Sequence, residues 1–561
     1  MANEYGNYAT LNPLTPDVGA AVPVYSEGNR KVVNGNAANL SIPLTLSVPT
    51  SDTQIYYVEF KLNTVGNDAN YAGVAKPDWA GFGTDAQMGT SVTGALGINN
   101  NASNIVIRFN TSNQGGSTAP AANDCYCVAI KGLKAWVGLY DASASNTKWI
   151  SQDGTERTSD EPAAGTNASY TFTDTQHLLV GCSVRANGGD GNLTLLADSN
   201  DWLGTPPSGA VAISTANLPT PAIINPDDHY YSKVVDHDGS STAFTLPWNA
   251  DTYDTLFIVK NATGATEDWY WTNGLRGYNK YQTCPTLVTE TTSTTILTIS
   301  GTSVTLGSTL GDKDYLVECH KAGLASGRAS DDTGAITVTR STNTTSQFSI
   351  IQRTGTGGNT NYGHGLDAVD WRVSLNLSSA HSFSCQHTSL TDGTMILYLD
   401  STGAQNAHAT GWNSTFPSST LCYLGTGNGT NQSSSTYNEY LWGSVDGYSA
   451  FGVYETNESA DGPFLNTGFC PSSVFIKHID EAGSWYQLYE AQNDGNPQDL
   501  YYSWNLDTAQ PSAFTFFDWV SNGVKFRTDG GSVNGDGGTV IYGAWGGRPL
   551  TNGGVNQGRA K

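Results

Sequence analysis

Short apolar runs, alternating or continuous, recur from about residue 40 to Pro549, each followed by a cluster of Gly, Asn, Asp, Ser or Thr. Ile55-Tyr56-Tyr57-Val58-Glu59-Phe60-Lys61-Leu62 alternates, and so does Ala135-Trp136-Val137-Gly138-Leu139-Tyr140. Alternation with a period of two puts one face of a strand on a core and the other toward solvent. Residues 178–184 form the continuous apolar kind of run found in buried strands. Lys148-Trp149-Ile150-Ser151 leads into Asp153-Gly154, a hairpin dipeptide. Strands at this spacing, punctuated by turn residues, predict β-sandwiches. Residues 1–40 carry Pro13, Pro16 and Pro23 without a clear period and read as an arm or attachment segment.

The C-terminal half repeats one plan three times. A polar hairpin comes first, then an apolar strand, an aromatic strand and a Tyr-bearing closing strand. The apolar strands are Phe257-Ile258-Val259-Lys260, Trp371-Arg372-Val373-Ser374 and Val474-Phe475-Ile476-Lys477. The aromatic strands begin at Trp269, Phe383 and Trp485, and the closing strands hold Tyr315, Tyr440 and Tyr542. A spacing of roughly 100–115 residues is that of a small sandwich domain, not of a solenoid repeat. The division this implies is an arm at 1–40, a sandwich at 41–222, and modules at 223–323, 347–446 and 447–550. A Ser/Thr/Gly/Asp-rich linker occupies 324–346 and a polar tail 551–561. The expected fold is all-β: tandem β-sandwiches, one jelly-roll sandwich followed by three related modules.

Composition narrows the function. Charged residues make up 14% of the chain, against roughly 25% in an average globular protein. Gly, Ser, Thr and Asn take their place, with 28 Tyr and 14 Trp. The net charge of −24 and the scattered Lys and Arg argue against nucleic acid as a partner. No apolar run is long enough for a helical membrane span, so no membrane insertion is expected. The first residues have neither the basic nor the apolar region of a signal peptide. The expectation is therefore synthesis in a cytoplasm without export by that route. The eight Cys form no CxxC pair and read as buried reduced thiols.

Candidate chemistry is sparse. There is no G-x-S-x-G elbow, and among 50 acidic residues no pair stands out as a glycosidase dyad. The chain is therefore read as a non-enzyme, with no catalytic residues and no metal site assigned. His381, Cys385 and His387 share strand parity, but a zinc site needs a fourth ligand. Asp236-His237-Asp238-Gly239 reads as a hairpin turn. Two Gly/Asp-rich loops, at 187–192 and 529–536, have some of the oxygen donors calcium uses but lack the terminal Glu of an EF-hand, so they read as turns and no cofactor is expected. Aromatic clusters carry the contact hypothesis. Trp269, Trp271, Trp412, Tyr501, Tyr502 and Trp504 are the candidates for stacking on a glycan or anchoring a partner, with sandwich core as the bland alternative.

The stretches Tyr57-Val58-Glu59-Phe60, Trp136-Val137-Gly138-Leu139-Tyr140 and Lys148-Trp149-Ile150-Ser151-Gln152-Asp153-Gly154 resemble the SPRY-type, concanavalin-like domains of tailed-bacteriophage structural proteins. The repeats resemble the β-sandwich modules of phage tail-fibre-like and other virion proteins, best in Gly447-Tyr448-Ser449-Ala450-Phe451-Gly452 and Asp518-Trp519-Val520-Ser521-Asn522-Gly523-Val524-Lys525. The resemblance implies a virion structural protein, made in the host cytoplasm and released by lysis. It would be a tail-fibre or receptor-binding component, with a head-decoration protein as the alternative and a polysaccharide depolymerase third. It also implies other virion proteins as partners, a homo-oligomer with a trimer favoured, and a host surface glycan as ligand.

Overall fold

The structure is a computed structural model and describes residues 9–14, 23–65, 69–77, 79, 82, 86–89, 94–101, 104–109, 112–173, 177–186, 191–492, 496–511, 515–535 and 537–549. It is all-β, built of sheets stacked as sandwiches and antiparallel but for Ala210–Ala212, which runs parallel to Ile55–Leu62, and its described helices are single turns such as Glu161–Ala164. The chain divides into two units: Met1–Pro221 with Pro463–Gly468, and Ala222–Gly462 with Phe469–Pro549. Among the described residues no helix is long and apolar enough to cross a membrane.

In the first unit a ten-stranded sheet faces a six-stranded one. The strand Ile55–Leu62 lies between Gly191–Leu196 and Cys125–Lys131. Its alternation sends Tyr56, Val58 and Phe60 between the sheets, against Leu44, Val74 and Val128. Ile55 and Tyr57 enter a smaller core on the opposite face, with Cys125, Cys127, Trp136 and Trp149. Both faces are thus buried, and Glu59 is buried with them. Its carboxylate accepts hydrogen bonds from Tyr57 Oη (2.7 Å), Leu203 N (2.8 Å) and Gly204 N (2.9 Å), tying the 202–204 loop across the sheet. Burial raises its pKa. Part of the segment expected to be an arm is sandwich instead. Leu11 bridges Leu44, Ala9 N donates to Ile213 O (2.9 Å), and Lys31–Asn34 pairs with Gly191–Leu196. Ala9, Leu11 and Val32 are fully buried, and that apolar area holds the segment down.

In the second unit each module has a large sheet with the same strand order. A leading strand pairs with the closing strand, which pairs in turn with the apolar strand, the aromatic strand and a fifth strand. In the first module these are Tyr230–Asp238, Asp312–Leu324, Tyr253–Asn261, Trp269–Asn273 and Lys280–Cys284. In the second they are Phe348–Thr354, Thr436–Trp442, Trp371–Asn376, Ser384–His387 and Met395–Tyr398. In the third they are Ala450–Glu455, Thr539–Trp545, Ser473–His478, Tyr486–Tyr489 and Tyr502–Ser503. The hairpin turn expected at Asp238-Gly239 is present: Gly239 takes φ 75°, and the Asp238 carboxylate accepts from Ser240 N (2.8 Å) and Ser241 N (3.0 Å). The expected linker at 324–346 contains strands, Ala329–Asp331 and Val338–Asn343, and the second of these pairs with Phe348–Thr354. Val338 is buried, which accounts for its place in the sheet.

The modules are consecutive in sequence but do not keep separate cores. Inner-face residues of each module fill their own sandwich, as with Phe257, Val259 and Val317 in the first and Ile351, Trp412 and Leu441 in the second. Outer-face residues of all three large sheets meet in one shared core. Trp371 is central to it. It stacks on Trp504 (5.5 Å, 4°) and Trp442 (4.5 Å, 26°) and lies 4.7 Å from Phe475 and 5.7 Å from Trp545. Gly543, paired with Phe475 across the strands, makes this possible, because a Cβ there would lie 2.2 Å from the Phe475 ring.

The contacts between modules close cyclically. Four residues beyond the aromatic at 269, 383 and 485 lie Asn273, His387 and Tyr489. Each donates to the closing strand of the next module: Asn273 Nδ2 to Tyr440 Oη (2.9 Å), His387 Nε2 to Tyr542 O (3.2 Å) and Tyr489 Oη to Glu318 Oε2 (2.5 Å). The third module thereby returns to the first. This is the heterologous, closed contact pattern of a cyclic trimer, here built within one chain.

Candidate functional site

Equivalent positions of the three modules are set by one shared hydrogen bond: Ala262 N to Asp314 O (2.7 Å), Leu377 N to Thr436 O (2.8 Å) and Ile479 N to Thr539 O (3.1 Å). Two residues earlier on the apolar strand stand Lys260, Leu375 and Lys477, paired across to Leu316, Asn438 and Ile541. Each pair thus holds one polar and one aliphatic side chain, and the second module has them exchanged. Lys260 Nζ donates to Asn261 Oδ1 (2.7 Å), to the Glu267 carbonyl and to Asp507 O (2.8 Å) in the third module. Lys477 Nζ donates to His478 O (2.6 Å) and Thr402 O (3.4 Å) in the second. Desolvation lowers both pKa values to about 8.

At the seam of the first and second modules Leu375 offers no such donor. A groove of about 560 Å³ opens there, lined by Lys280, Glu290, Gln352, Thr354, Ser378 and Thr436, with two further threonines, Val338, Leu377 and Arg353. Glu290 Oε1 lies 3.4 Å from Lys280 Nζ, and its Oε2 lies 3.6 Å from Nη1 of the buried Arg276. Glu290 N donates to Leu377 O (3.0 Å), and Gln282 Nε2 to Asn376 O (2.8 Å), joining the two modules beside it. Asn438 shares the sheet face of Thr436 and pairs across to Gln352. It is fully buried, and neither Nδ2 nor Oδ1 has a hydrogen-bond partner. Gln282 Oε1, Arg276 Nε and Glu290 Oε2 are likewise buried without one. Such atoms cost about 1–3 kcal/mol each until something pairs with them.

The aromatic candidates are not at this groove or at any other surface. Trp269, Trp271 and Trp412 are 0% exposed, Tyr502 and Trp504 1% and Tyr501 8%, so their ring faces are spent on core packing. Trp269 Nε1 donates to Ser503 O (3.1 Å), and Trp271 packs on Phe383 and Tyr440. Trp412 lies 3.8 Å under the Arg372 guanidinium, and Tyr501 packs on Tyr486 and Phe516. A glycan-stacking role for these six is corrected to a core role: closure of the modules buries Trp269, Trp271, Tyr502 and Trp504, while Trp412 fills the second module's own sandwich and Tyr501 packs within the third.

His387 receives a hydrogen bond from Ser389 N at Nδ1 (3.0 Å) and donates from Nε2, so it is the neutral imidazole, with its pKa pushed down to about 4 by burial. Both nitrogens are engaged, and among the described residues no group of three or more His, Cys, Asp or Glu is placed to hold a metal. Of the calcium-loop candidates, 187–190 and Asp536 lie outside the described residues, while Gly531–Asn534 is a single helical turn. All eight thiols are free and buried. Sequence reasoning missed the groove. One signal was available: in the aligned repeats Asn438 falls where the other copies carry Leu316 and Ile541.

A family model described as Domain of unknown function (DUF7483) matches residues 225–549, nearly the whole span of the second unit. The chain belongs to this family. The three modules and their shared core are therefore the architecture of its DUF7483 region. No curated protein matches the chain. Among solved structures, the PSpry domain of TRIM65 aligns at 12% identity over 34% of this chain and 92% of its own, with a TM-score of 0.22. The SPRY domain of human HERC1 aligns at 10% identity over 33% and 96%, TM-score 0.21. The carbohydrate-binding module CBM66 of Bacillus subtilis aligns at 10% identity over 34% and 94%, TM-score 0.20.

Proposed function

We propose that the chain is a non-catalytic structural protein of a bacteriophage virion, a tail-fibre or receptor-binding component that contacts a host surface glycan. The observation that carries this reading is the closure of the three modules on one aromatic core. It consumes Trp269, Trp271, Trp371, Trp442, Trp485, Trp504 and Trp545, with Cys284 and Cys385, and it leaves hydroxyl-rich loops and seams as the surface. Such a block is suited to bearing load and presenting loops, whereas an active site needs a reactive group held within reach of substrate. The low charge content and net acidity fit a protein displayed at high local concentration.

The test is immunogold labelling of intact particles with antibody to the chain, paired with adsorption competition by the purified protein. Labelled tails and slowed adsorption at micromolar protein are the expected outcome. Label on capsid facets would instead assign a head-decoration role, and unlabelled particles would overturn the virion reading.

A further inference from the structure

We propose that the groove at the seam of the first and second modules is a binding site for a neutral oligosaccharide. This deepens the surface-recognition reading above and rests on it. The lining has the right chemistry. Thr337, Thr339, Thr354, Ser378 and Thr436 supply hydroxyls and Gln352 an amide, while Lys280 and Glu290 cancel in charge. A sugar hydroxyl donates and accepts at once, and this mixed set can answer both roles. On the same sheet face, the buried Asn438 amide has an unpaired donor and an unpaired acceptor. It has no exposed surface and is not part of the lining, so a ligand meets Thr436 and Gln352 beside it and not the amide itself. The volume of about 560 Å³ falls within the roughly 300–1,000 Å³ of small-ligand pockets. A polyanion is disfavoured by the chain charge of −24, and an apolar ligand by the polar lining. The described lining carries no aromatic platform, so single-site affinity is weak, with Kd on the order of 1 mM.

The seam also shows how this site arises. At the equivalent positions Lys260 and Lys477 reach the carbonyls of Asp507 and Thr402 in the neighbouring module. Leu375 has no donor with which to do so, and the polar member of its pair, Asn438, is left without a partner.

The experiment is saturation-transfer NMR on the full chain with maltotriose, mannotriose and galactobiose, with heparin as the acidic comparison, each at about 5 mM, above the expected Kd. Transfer to at least one neutral probe is expected. It should weaken roughly tenfold in Thr354→Trp, which fills the rim, and hold in Asn438→Leu, a change outside the lining. Asn438→Leu should fold, since the other modules carry Leu316 and Ile541 there. If Thr354→Trp fails to fold, Gln352→Ala replaces it with the same expectation. No transfer to any neutral probe, transfer to heparin alone, or transfer unchanged in folded Thr354→Trp or Gln352→Ala would overturn the site. Adsorption competition with Thr354→Trp separates this from the broader reading. If the variant still competes as wild type does, the receptor-binding role stands and the groove is excluded from it. If sugar binds in the groove and wild type does not compete, the groove stands and receptor binding falls.

Discussion

Cysteine and tryptophan show how one residue type can be read correctly and another misread from the same chain. The thiols were expected to be buried and reduced, and all eight are free and buried. Desolvation raises the thiol pKa to about 12 at Cys182 and about 11 at Cys422, and well above the ordinary range at Cys127, Cys284, Cys319 and Cys385. The native protein should therefore give no fast reaction with Ellman's reagent at pH 8, and all eight thiols should titrate once it is unfolded. A single fast-reacting thiol in the native state would contradict the packing. Trp269 and Trp271 stand two apart, so the sequence put them on one strand face without saying what that face meets. A Trp suits a glycan platform and a sandwich–sandwich contact equally well, so composition and parity could not separate the two.

Strand pairs carry the next level of specification. Lys260/Leu316, Leu375/Asn438 and Lys477/Ile541 are one structural pair in three versions. The lysines set a pH dependence whose sign follows from burial. Their folded pKa values are lowered to about 8 from 10.5, so between those values the unfolded chain holds more protons and stability rises with pH. Below pH 8 both states are protonated and the penalty is complete. Buried tyrosines such as Tyr489, with raised pKa values, oppose the gain once pH passes 10, the unfolded tyrosine value. The buried thiols, raised above 9 in the folded state, oppose it too, so the lysine contribution is read as a difference: by urea unfolding, the stability of Lys477→Leu, copied from the second module, should fall relative to wild type as pH rises from 8 to 10. An unchanged slope would mean that this ammonium is not desolvated as the structure has it. Asn438→Leu should stabilise the protein by about 1–2 kcal/mol, because it removes an unpaired buried amide. A loss of stability would show that the amide is paired.

At the scale of the whole molecule, the DUF7483 region is one cooperative body, because its largest side chains belong to all three modules at once. Residues 222–549 expressed alone should unfold in a single transition. A chain ended at residue 446 should bind ANS and lack one, since it removes Phe475, Trp504 and Trp545 from around Trp371. Trp371→Ala should cost about 3–5 kcal/mol. Independent melting of the truncated modules would refute the shared core. Much of this molecule was legible beforehand: strand periodicity, the threefold plan, the turn at Asp238-Gly239 and the burial of the thiols are local or compositional, and a strand carries its own two-faced pattern. The linker at 324–346 was misread because Ser, Thr and Gly serve edge strands as readily as loops. By itself the sequence determined that the chain would form sandwiches in three related copies, because hydrogen-bonding period and turn chemistry act over a few residues. Only the tertiary structure decided that the copies share a core, that their aromatics are interior, and that one seam keeps a polar groove. Those outcomes depend on which outer face meets which, and they are set by contacts between residues far apart in the chain, 247 positions for Lys260 and Asp507.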